Sequence, residues 1–239
     1  MPLPNPPSLS QREVHAWRFG LTIAPPHDVG EYLDETNRAR AGRFVYAGDR
    51  AKFLRVRYVL NSLLGLYLAV NPKEICFATN EYGKPFLPVK SRVSFNLSHA
   101  GSLGIIAIGT GADIGIDIEE GRMPIDLRGL TNSVFSVEEL DAVDGMADNA
   151  LLRPFMTCWT RKEAYLKALG VGLHIEPRAV SVGVMPERRS VGIGGETSNS
   201  FVDVVTIVEE QCCFASLAVV GGFSNYKSFD FDHAGAVYH

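Results

Sequence analysis

The stretch Ile114-Gly115-Ile116-Asp117-Ile118-Glu119 alternates isoleucine with glycine and two acidic residues. A period of two predicts a β-strand with one face in a hydrophobic core, so the side chains of Asp117 and Glu119 point the same way. Neighbouring carboxylates repel each other and are costly to desolvate, so they need solvent, a proton or a bound cation. A solvated strand edge and a site for a hard divalent cation are the two interpretations.

A second stretch, about forty residues later, has the pattern of a helix. Trp159, Glu163 and Lys167 are spaced at i, i+4 and i+8, which places the indole, the carboxylate and the amine on one helical face. A Glu/Lys pair at this spacing is commonly a surface ion pair. Beside the acidic strand, however, the same residues would add a third carboxylate and a cation, a set suited to phosphate chemistry on a metal.

The composition is that of an ordinary globular chain. Its 239 residues are 46% hydrophobic and 21% charged, which suits one large domain or two small ones. The net charge of -4 argues against a mainly nucleic-acid-binding protein. No apolar run approaches the length of a membrane span, and residues 1–10 lack the basic and apolar regions of a signal peptide. We expect neither nucleic acid nor membrane as a partner.

The four cysteines indicate the compartment. They lack the Cys-x-x-Cys spacing of a zinc site and do not form the pattern of a disulfide framework. They are Cys76, Cys158, Cys212 and Cys213. Reduced thiols and a cytoplasmic location are therefore expected.

The remaining elements are predicted from periodicity, caps and turns. The N-terminal half predicts a strand at 14–21, helical residues 31–43, a helix from an Asp49 cap to about Val70, and strands at 75–78 and 103–108. The strand at 113–119 is expected to form a hairpin with 103–108 through Gly109-Thr110-Gly111. The C-terminal half predicts a capping box of Ser136 and Glu139, a helix at 149–169 ended by Gly170, a mobile loop at 186–200, and strands at 202–208 and 213–220.

Both halves place helices between an early strand and a closing antiparallel set. This order predicts an α/β (α+β) fold of two similar lobes related by pseudo-twofold symmetry. Each lobe would be a small antiparallel sheet with a long packed helix. We assign the lobes to residues 1–108 and 109–239, with a ligand cleft between them.

Two further features concern binding. Seven cations lie between Arg38 and Arg57, which fits either a solvated helical surface or an anion site, since arginine suits a phosphate dianion. Phe95-Asn96-Leu97-Ser98-His99 places polar groups at a strand end, where loops carry function. Ser98 and His99 are no catalytic dyad, because neighbouring strand side chains point to opposite faces. A lone histidine is also commonly structural.

Together these motifs resemble the 4'-phosphopantetheinyl transferases, specifically the larger monomeric class named after the surfactin synthetase activator. The matching motifs follow the family's order and spacing and cover most of the chain from about Arg40 to Leu173. They are Gly83-Lys84-Pro85, Phe95-Asn96-Leu97-Ser98-His99, Gly115-Ile116-Asp117-Ile118-Glu119, and the run from Trp159 to Gly170.

The resemblance implies a reaction and a site. The reaction moves the 4'-phosphopantetheine moiety of coenzyme A to a serine hydroxyl of an apo acyl carrier protein or peptidyl carrier domain and releases 3',5'-ADP. The implied metal ligands, for Mg²⁺ or alternatively Mn²⁺, are Asp117, Glu119 and Glu163. The implied catalytic residues are Glu163 as base, Lys167 at the pyrophosphate, and Asp117. The implied coenzyme A site consists of Arg40, Lys84, Asn96, Ser98, His99 and Lys167.

The chain departs from the family pattern at two places, and two other functions remain to be compared. Asn61 stands where many relatives carry a basic residue, and residues 185–200 follow no family pattern. A Mg²⁺-dependent phosphohydrolase would use the carboxylates but leaves the motif at residues 95–99 without a role. A protein that only binds coenzyme A or a carrier predicts the loss of Asp117, Glu163 or Lys167, and all three are present. Size and class imply a monomer.

Overall fold

The computed structural model describes residues 7–88, 91–194, 200–210, 212–232 and 235–237. Within these residues the chain forms five α-helices and eleven β-strands. In chain order they are β1 Glu13–Gly20, α1 Glu35–Gly42, α2 Ala47–Leu68, β2 Ala78–Thr79, β3 Pro85–Phe86, β4 Val93–Ala100, β5 Leu103–Thr110, β6 Ile114–Glu120, α3 Leu127–Val134, α4 Val137–Ala142, α5 Asp148–Leu169, β7 Arg189–Gly192, β8 Phe201–Glu210, β9 Cys213–Val220, β10 Asn225–Asp232 and β11 Gly235–Val237. None of the described helices is long and apolar enough to cross a bilayer.

The strands form two larger sheets and one short hairpin. The first sheet has the order β11-β10-β1-β5-β4, the second has the order β6-β9-β8-β7, and β2 pairs with β3. The α+β prediction is confirmed. One pairing was not predicted: β10 runs parallel to β1, so the end of the chain returns to the first sheet. The pseudo-twofold relation of two lobes, divided near residue 108, stays a prediction.

Each long helix covers one sheet with apolar side chains. Leu60 and Leu63 of α2 pack with Trp17 of β1 and Phe95 of β4. Helix α5 shares a second core with β8, β9 and α3. A third core joins the two sheets: Val14 and Ile105 of the first sheet cluster with Ile114, Ile116 and Ile118 of β6. The predicted buried face of the isoleucine strand is therefore confirmed.

The predicted hairpin between residues 103–108 and 113–119 is wrong. Both edges of β5 are occupied, by β1 and by β4. Strand β6 pairs instead with β9 in the second sheet, where Ile114 lies opposite Val219 and Glu120 lies opposite Cys213. The chain therefore changes sheets at Gly111, which has a left-handed φ of 73°.

A side chain joins the neighbouring edges of the two sheets. Asn96 Oδ1 on β4 accepts a hydrogen bond from the Ile116 backbone N–H on β6 at 2.9 Å. Because Asn96 is buried, this bond satisfies a polar group that water cannot reach. It holds the polar end of β4 beside the acidic strand.

Several smaller predictions need correction. Asp49 was predicted to cap α2, but Tyr46 is the N-cap and Asp49 lies inside the first turn. An acidic residue in the first turn is favoured by the helix dipole, which is why its position resembled a cap. The helical residues 31–43 divide into a 3-10 helix, Val29–Tyr32, and α1, which Asp34 caps. Strand β2 covers only Ala78–Thr79, and the expected loop 186–200 contains β7. The Ser136 capping box and the Gly170 C-cap are confirmed.

Candidate active site

The acidic strand and the long helix meet at one carboxylate. Lys167 Nζ on α5 donates to Asp117 Oδ1 on β6 at 2.5 Å. Ser98 Oγ on β4 donates to the same oxygen at 2.9 Å, and Lys167 Nζ lies 3.1 Å from Ser98 Oγ. Three predicted site residues from three separate elements are thus in direct contact.

Gly115 explains how closely β6 and α5 approach. A Cβ built on Gly115 would lie 1.9 Å from the Ala164 carbonyl O and 2.3 Å from the Ala168 amide N. Both atoms belong to the helix backbone, so the strand lies directly on the helix where no side chain separates them. The two helix residues adjoin Glu163 and Lys167, which are thereby placed beside Asp117.

The other two predicted metal ligands lie in the same region. Trp159 Nε1 lies 3.5 Å from Glu119 Oε1, at the limit of a hydrogen bond. Burial raises the pKa of Glu119, and the charge of Asp117 raises it further. Burial also raises the pKa of Glu163, with additional contributions from Asp117 and Glu119, against the opposing effect of Lys167. The three carboxylates therefore repel one another.

The donor chemistry of this region fits a hard cation. In the described ranges, no three His, Cys, Asp or Glu side chains are arranged as a metal cluster, and Lys167 holds Asp117 instead. Asp117 Oδ2 is nevertheless buried and has no hydrogen-bond partner in the described part of the chain. Burial raises the pKa of Asp117. A buried carboxylate oxygen with a vacant lone pair, beside two further carboxylates, is a donor set that Mg²⁺ and Mn²⁺ accept.

Strand β4 contributes Ser98 on one face and His99 on the other. Ser98 is buried against Asp117, whereas His99 is exposed. Partial burial of the imidazole lowers the pKa of His99, and the charges of Lys167 and Lys52 lower it further. The charges of two lysines therefore act on the exposed face of β4.

The Gly83-Lys84-Pro85 turn is docked on the C-terminal end of α5. Lys84 Nζ donates to the Ala168 carbonyl at 3.0 Å, and Asn80 Nδ2 donates to the Gly170 carbonyl at 2.8 Å. These bonds satisfy carbonyls that the helix leaves unpaired at its end. Burial lowers the pKa of Lys84. Lys84 thus has a positional role, and its contact with coenzyme A stays a prediction.

The cations between Arg38 and Arg57 fall into two groups by their contacts in the structure. Three of them are bound to backbone carbonyls: Arg38 donates to Leu33 at 3.0 Å, Lys52 to Gly101 at 3.2 Å, and Arg55 to Gly20 at 3.3 Å. Asn61, one of the two departures expected from the family pattern, is buried and donates to the carbonyls of Tyr32 and Pro72. Its role is structural.

Arg40 and Arg57 are arranged differently, because they share one aromatic ring. Their guanidinium carbons lie 5.2 Å and 5.5 Å from the centroid of Phe53. Arg57 also lies 5.5 Å from the centroid of Phe77. Within the described residues, Arg57 Nη1 is buried without a hydrogen-bond partner. Burial lowers the pKa of Arg57, and the charge of Arg40 adds to this effect, against the opposing effect of Asp34.

Two buried cations in α5 were not identified from the sequence. Lys162 Nζ pairs with Glu139 Oε2 at 2.6 Å, and both side chains are only 1% exposed. Arg161 donates to the carbonyls of Val182, Met185 and Glu187. A usable signal was present, since both residues lie within a helix whose neighbouring positions 164–166 are apolar. These cations fix α4 and the segment 177–187 to the helix.

A groove opens beside the carboxylates. It lies between α3 and α5 and has a volume of about 480 Å³. Its lining residues are Glu119, Leu130, Ser133, Val134, Phe155, Met156, Trp159 and Pro177. The groove is mainly apolar, and Glu119 of the predicted site is one of its lining residues.

Comparisons with known proteins find similarity over most of the chain. A model of the 4'-phosphopantetheinyl transferase superfamily matches residues 113–211, and a model of the 4'-phosphopantetheinyl transferase N-terminal region matches residues 27–110. The 4'-phosphopantetheinyl transferase HetI of Nostoc sp. is 33% identical over 226 residues, which are 92% of this chain and 93% of the relative. The 4'-phosphopantetheinyl transferase Sfp of Bacillus subtilis is 29% identical over 63% of this chain and 66% of its own length.

Proposed function

We propose, because this chain belongs to the 4'-phosphopantetheinyl transferase superfamily, that it transfers the 4'-phosphopantetheine moiety of coenzyme A to a serine of an apo carrier protein. The products would be the holo carrier and 3',5'-ADP, and the reaction would depend on Mg²⁺. One observation carries the proposal: Lys167 of α5 and Asp117 of β6 meet at 2.5 Å beside Glu119 and Glu163. Because all of these residues belong to one chain, we also propose a monomer, and the four free cysteines favour a cytoplasmic location.

The proposed chemistry assigns a role to each group. The serine Oγ forms a bond to the β-phosphorus, and the bond from that phosphorus to the oxygen bridging the α-phosphorus breaks. Glu163 receives the serine proton as the general base. Lys167 stabilises the charge that develops on the leaving 3',5'-ADP. A divalent cation on Asp117, Glu119 and Glu163 would neutralise the phosphate oxygens during this step.

The proposal is tested by the intact mass of an apo acyl or peptidyl carrier protein after incubation with coenzyme A, Mg²⁺ and this protein. We expect the carrier to gain the mass of phosphopantetheine. When EDTA is present during the incubation, we expect no gain. Coenzyme A cleavage without any carrier would instead indicate a phosphohydrolase. Binding of coenzyme A without modification of any carrier tested would indicate a binding-only protein.

We also propose that Arg40 and Arg57 bind the 3'-phosphate of coenzyme A. A phosphate dianion would neutralise this like-charged pair and would accept a hydrogen bond from Arg57 Nη1. The remaining cations of the stretch with assigned contacts, Arg38, Lys52 and Arg55, already donate to carbonyls. Arg57 was not among the residues assigned from the family motifs.

Arg57→Gln should weaken the binding of 3',5'-ADP by about 10-fold to 100-fold, since a hydrogen bond to a charged group contributes roughly 1.5–3 kcal/mol. Binding of 5'-AMP, which lacks the 3'-phosphate, should not change. Isothermal titration calorimetry with both nucleotides measures the difference. Arg50→Gln is the control, because Arg50 lies on the same helix and is exposed. Equal losses for both nucleotides would contradict the assignment.

The groove between α3 and α5 supplies a proposed approach for the carrier. The carrier serine has to reach Glu163, and Glu119 and Trp159, which belong to the same site, line the groove. An apolar side chain on the carrier, near its serine, would fill this groove and orient the hydroxyl. We therefore assign the groove to the carrier and not to coenzyme A.

Leu130→Asp should raise the KM for the carrier by about 10-fold, because it places a charge in the apolar groove. The KM for coenzyme A should stay unchanged. Leu130 is 42% exposed, so the substitution leaves the core intact. Val137→Asp is the matched control, since Val137 is 72% exposed and does not line the groove. An unchanged carrier KM would exclude this groove as the docking site.

A further inference from the structure

We infer that Lys167 is an internal counter-ion that a divalent cation displaces from Asp117, and that this displacement releases the ammonium toward the pyrophosphate of coenzyme A. The inference rests on the proposed function and deepens it. It concerns the order of events at the site: the cation would prepare Lys167 for the substrate.

The contacts of Asp117 show that Lys167 is its counter-ion. Its Oδ1 accepts from both Lys167 Nζ and Ser98 Oγ, while its buried Oδ2 has no partner among the described residues. The Asp117 side chain is 4% exposed and the Lys167 side chain is 30% exposed. Lys167 is therefore the more exposed partner of the pair, and a cation that arrives at Asp117 from the solvent meets its ammonium.

Electrostatics explains why Lys167 stays on Asp117 and why a divalent cation would displace it. A buried carboxylate without a counter-ion is costly, so Lys167 stays on Asp117 as long as no other cation is present. A divalent cation on the same carboxylate would repel an ammonium held 2.5 Å from Oδ1. The ammonium is the group that can move, because it ends a flexible four-carbon stem. Ser98 remains bonded and keeps the carboxylate oriented.

The surroundings of Lys167 indicate where the released ammonium would lie. Its Nζ lies 3.1 Å from Ser98 Oγ, and its charge contributes to the lowered pKa of His99 on the exposed face of β4. Lys52 affects the same imidazole. An ammonium released from Asp117 would be a second cation beside Lys52 near His99, and an anionic pyrophosphate would be attracted to it. Cation binding and coenzyme A binding should therefore strengthen each other through Lys167.

The test measures Mn²⁺ binding in the absence of coenzyme A, from the electron paramagnetic resonance signal of free Mn²⁺. Lys167→Gln should bind Mn²⁺ at least 10-fold more tightly than the wild type, because the competing ammonium is gone. Lys52→Gln is the control for a general change in charge, since Lys52 donates to the Gly101 carbonyl and not to a carboxylate. It should change the affinity by less than about threefold.

Three outcomes would overturn the inference: unchanged or weaker Mn²⁺ binding by Lys167→Gln, an equal gain in Lys52→Gln, or no Mn²⁺ binding by any variant. Should Lys167→Gln fail to fold, the ¹⁵N signals of the lysine ammonium groups in the wild type provide a second measurement. Saturating Mg²⁺ should shift the Lys167 signal, and an unmoved signal would refute displacement. The proposed function is judged separately, because the carrier mass assay with wild-type protein does not depend on how tightly Mn²⁺ binds these variants.

Discussion

Glu163→Gln should reduce kcat/KM for carrier modification by at least about 10³-fold and leave the fold intact. The amide keeps the size of the side chain, but it removes both a carboxylate ligand for the cation and a base for the serine. General base catalysis alone accounts for roughly 10²-fold to 10⁴-fold. The rate of carrier modification, followed by mass spectrometry at several carrier concentrations, measures the loss.

Stability should change in the opposite direction to activity. Burial, Asp117 and Glu119 all raise the pKa of Glu163, which means that the ionised carboxylate is unfavourable in the folded, cation-free protein. Replacing it with a neutral amide should leave the Tm of the cation-free protein unchanged or slightly higher. Glu74→Gln, at an exposed glutamate remote in sequence, is the control and should keep full activity. Near-normal turnover by Glu163→Gln would remove Glu163 from both roles.

The local geometry of the site could be predicted from the sequence. Alternation placed Ile114, Ile116 and Ile118 in a core, and the same period aligned Asp117 with Glu119. Helical spacing aligned Glu163 with Lys167. Both predictions depend only on the repeat of one element, which the backbone geometry fixes.

The pairing of the strands could not be predicted in the same way. The short turn at residues 109–111 favoured a hairpin, but β5 has its two partners in β1 and β4, and β6 pairs with β9 about a hundred residues later. The parallel pairing of β1 with β10 is more distant still in sequence, since Glu13 lies opposite Asn225. Such pairings depend on which edges remain open after the whole sheet forms, and no local pattern encodes this.

The buried ion pair of Lys162 and Glu139 shows a second limit. The sequence identified Glu139 as a capping-box residue, and this role is confirmed. The same carboxylate also accepts from the backbone of Val182 and pairs with Lys162, 23 residues away. A charge within a helix indicates that a partner is needed, but the partner is found only when the elements pack.

Gly115→Ala should destabilise the protein by roughly 3 kcal/mol or more, the upper end of the cost of overpacking a core. The added Cβ would lie 1.9 Å from the Ala164 carbonyl O, and no rotation of a side chain can relieve a contact with the helix backbone. Helix α5 would have to move away from β6. Urea unfolding followed by circular dichroism measures the change in the free energy of unfolding.

The same movement should affect the site, because Lys167 reaches Asp117 only while α5 lies directly on β6. We therefore expect Gly115→Ala to lose carrier modification even at temperatures at which it remains folded. Gly192→Ala is the matched control: it also lies in a strand, and a Cβ there meets no atom within 4 Å. Normal stability of Gly115→Ala would mean that strand and helix can separate without cost. In that case the glycine of this motif would have to be explained by the substrate and not by the fold.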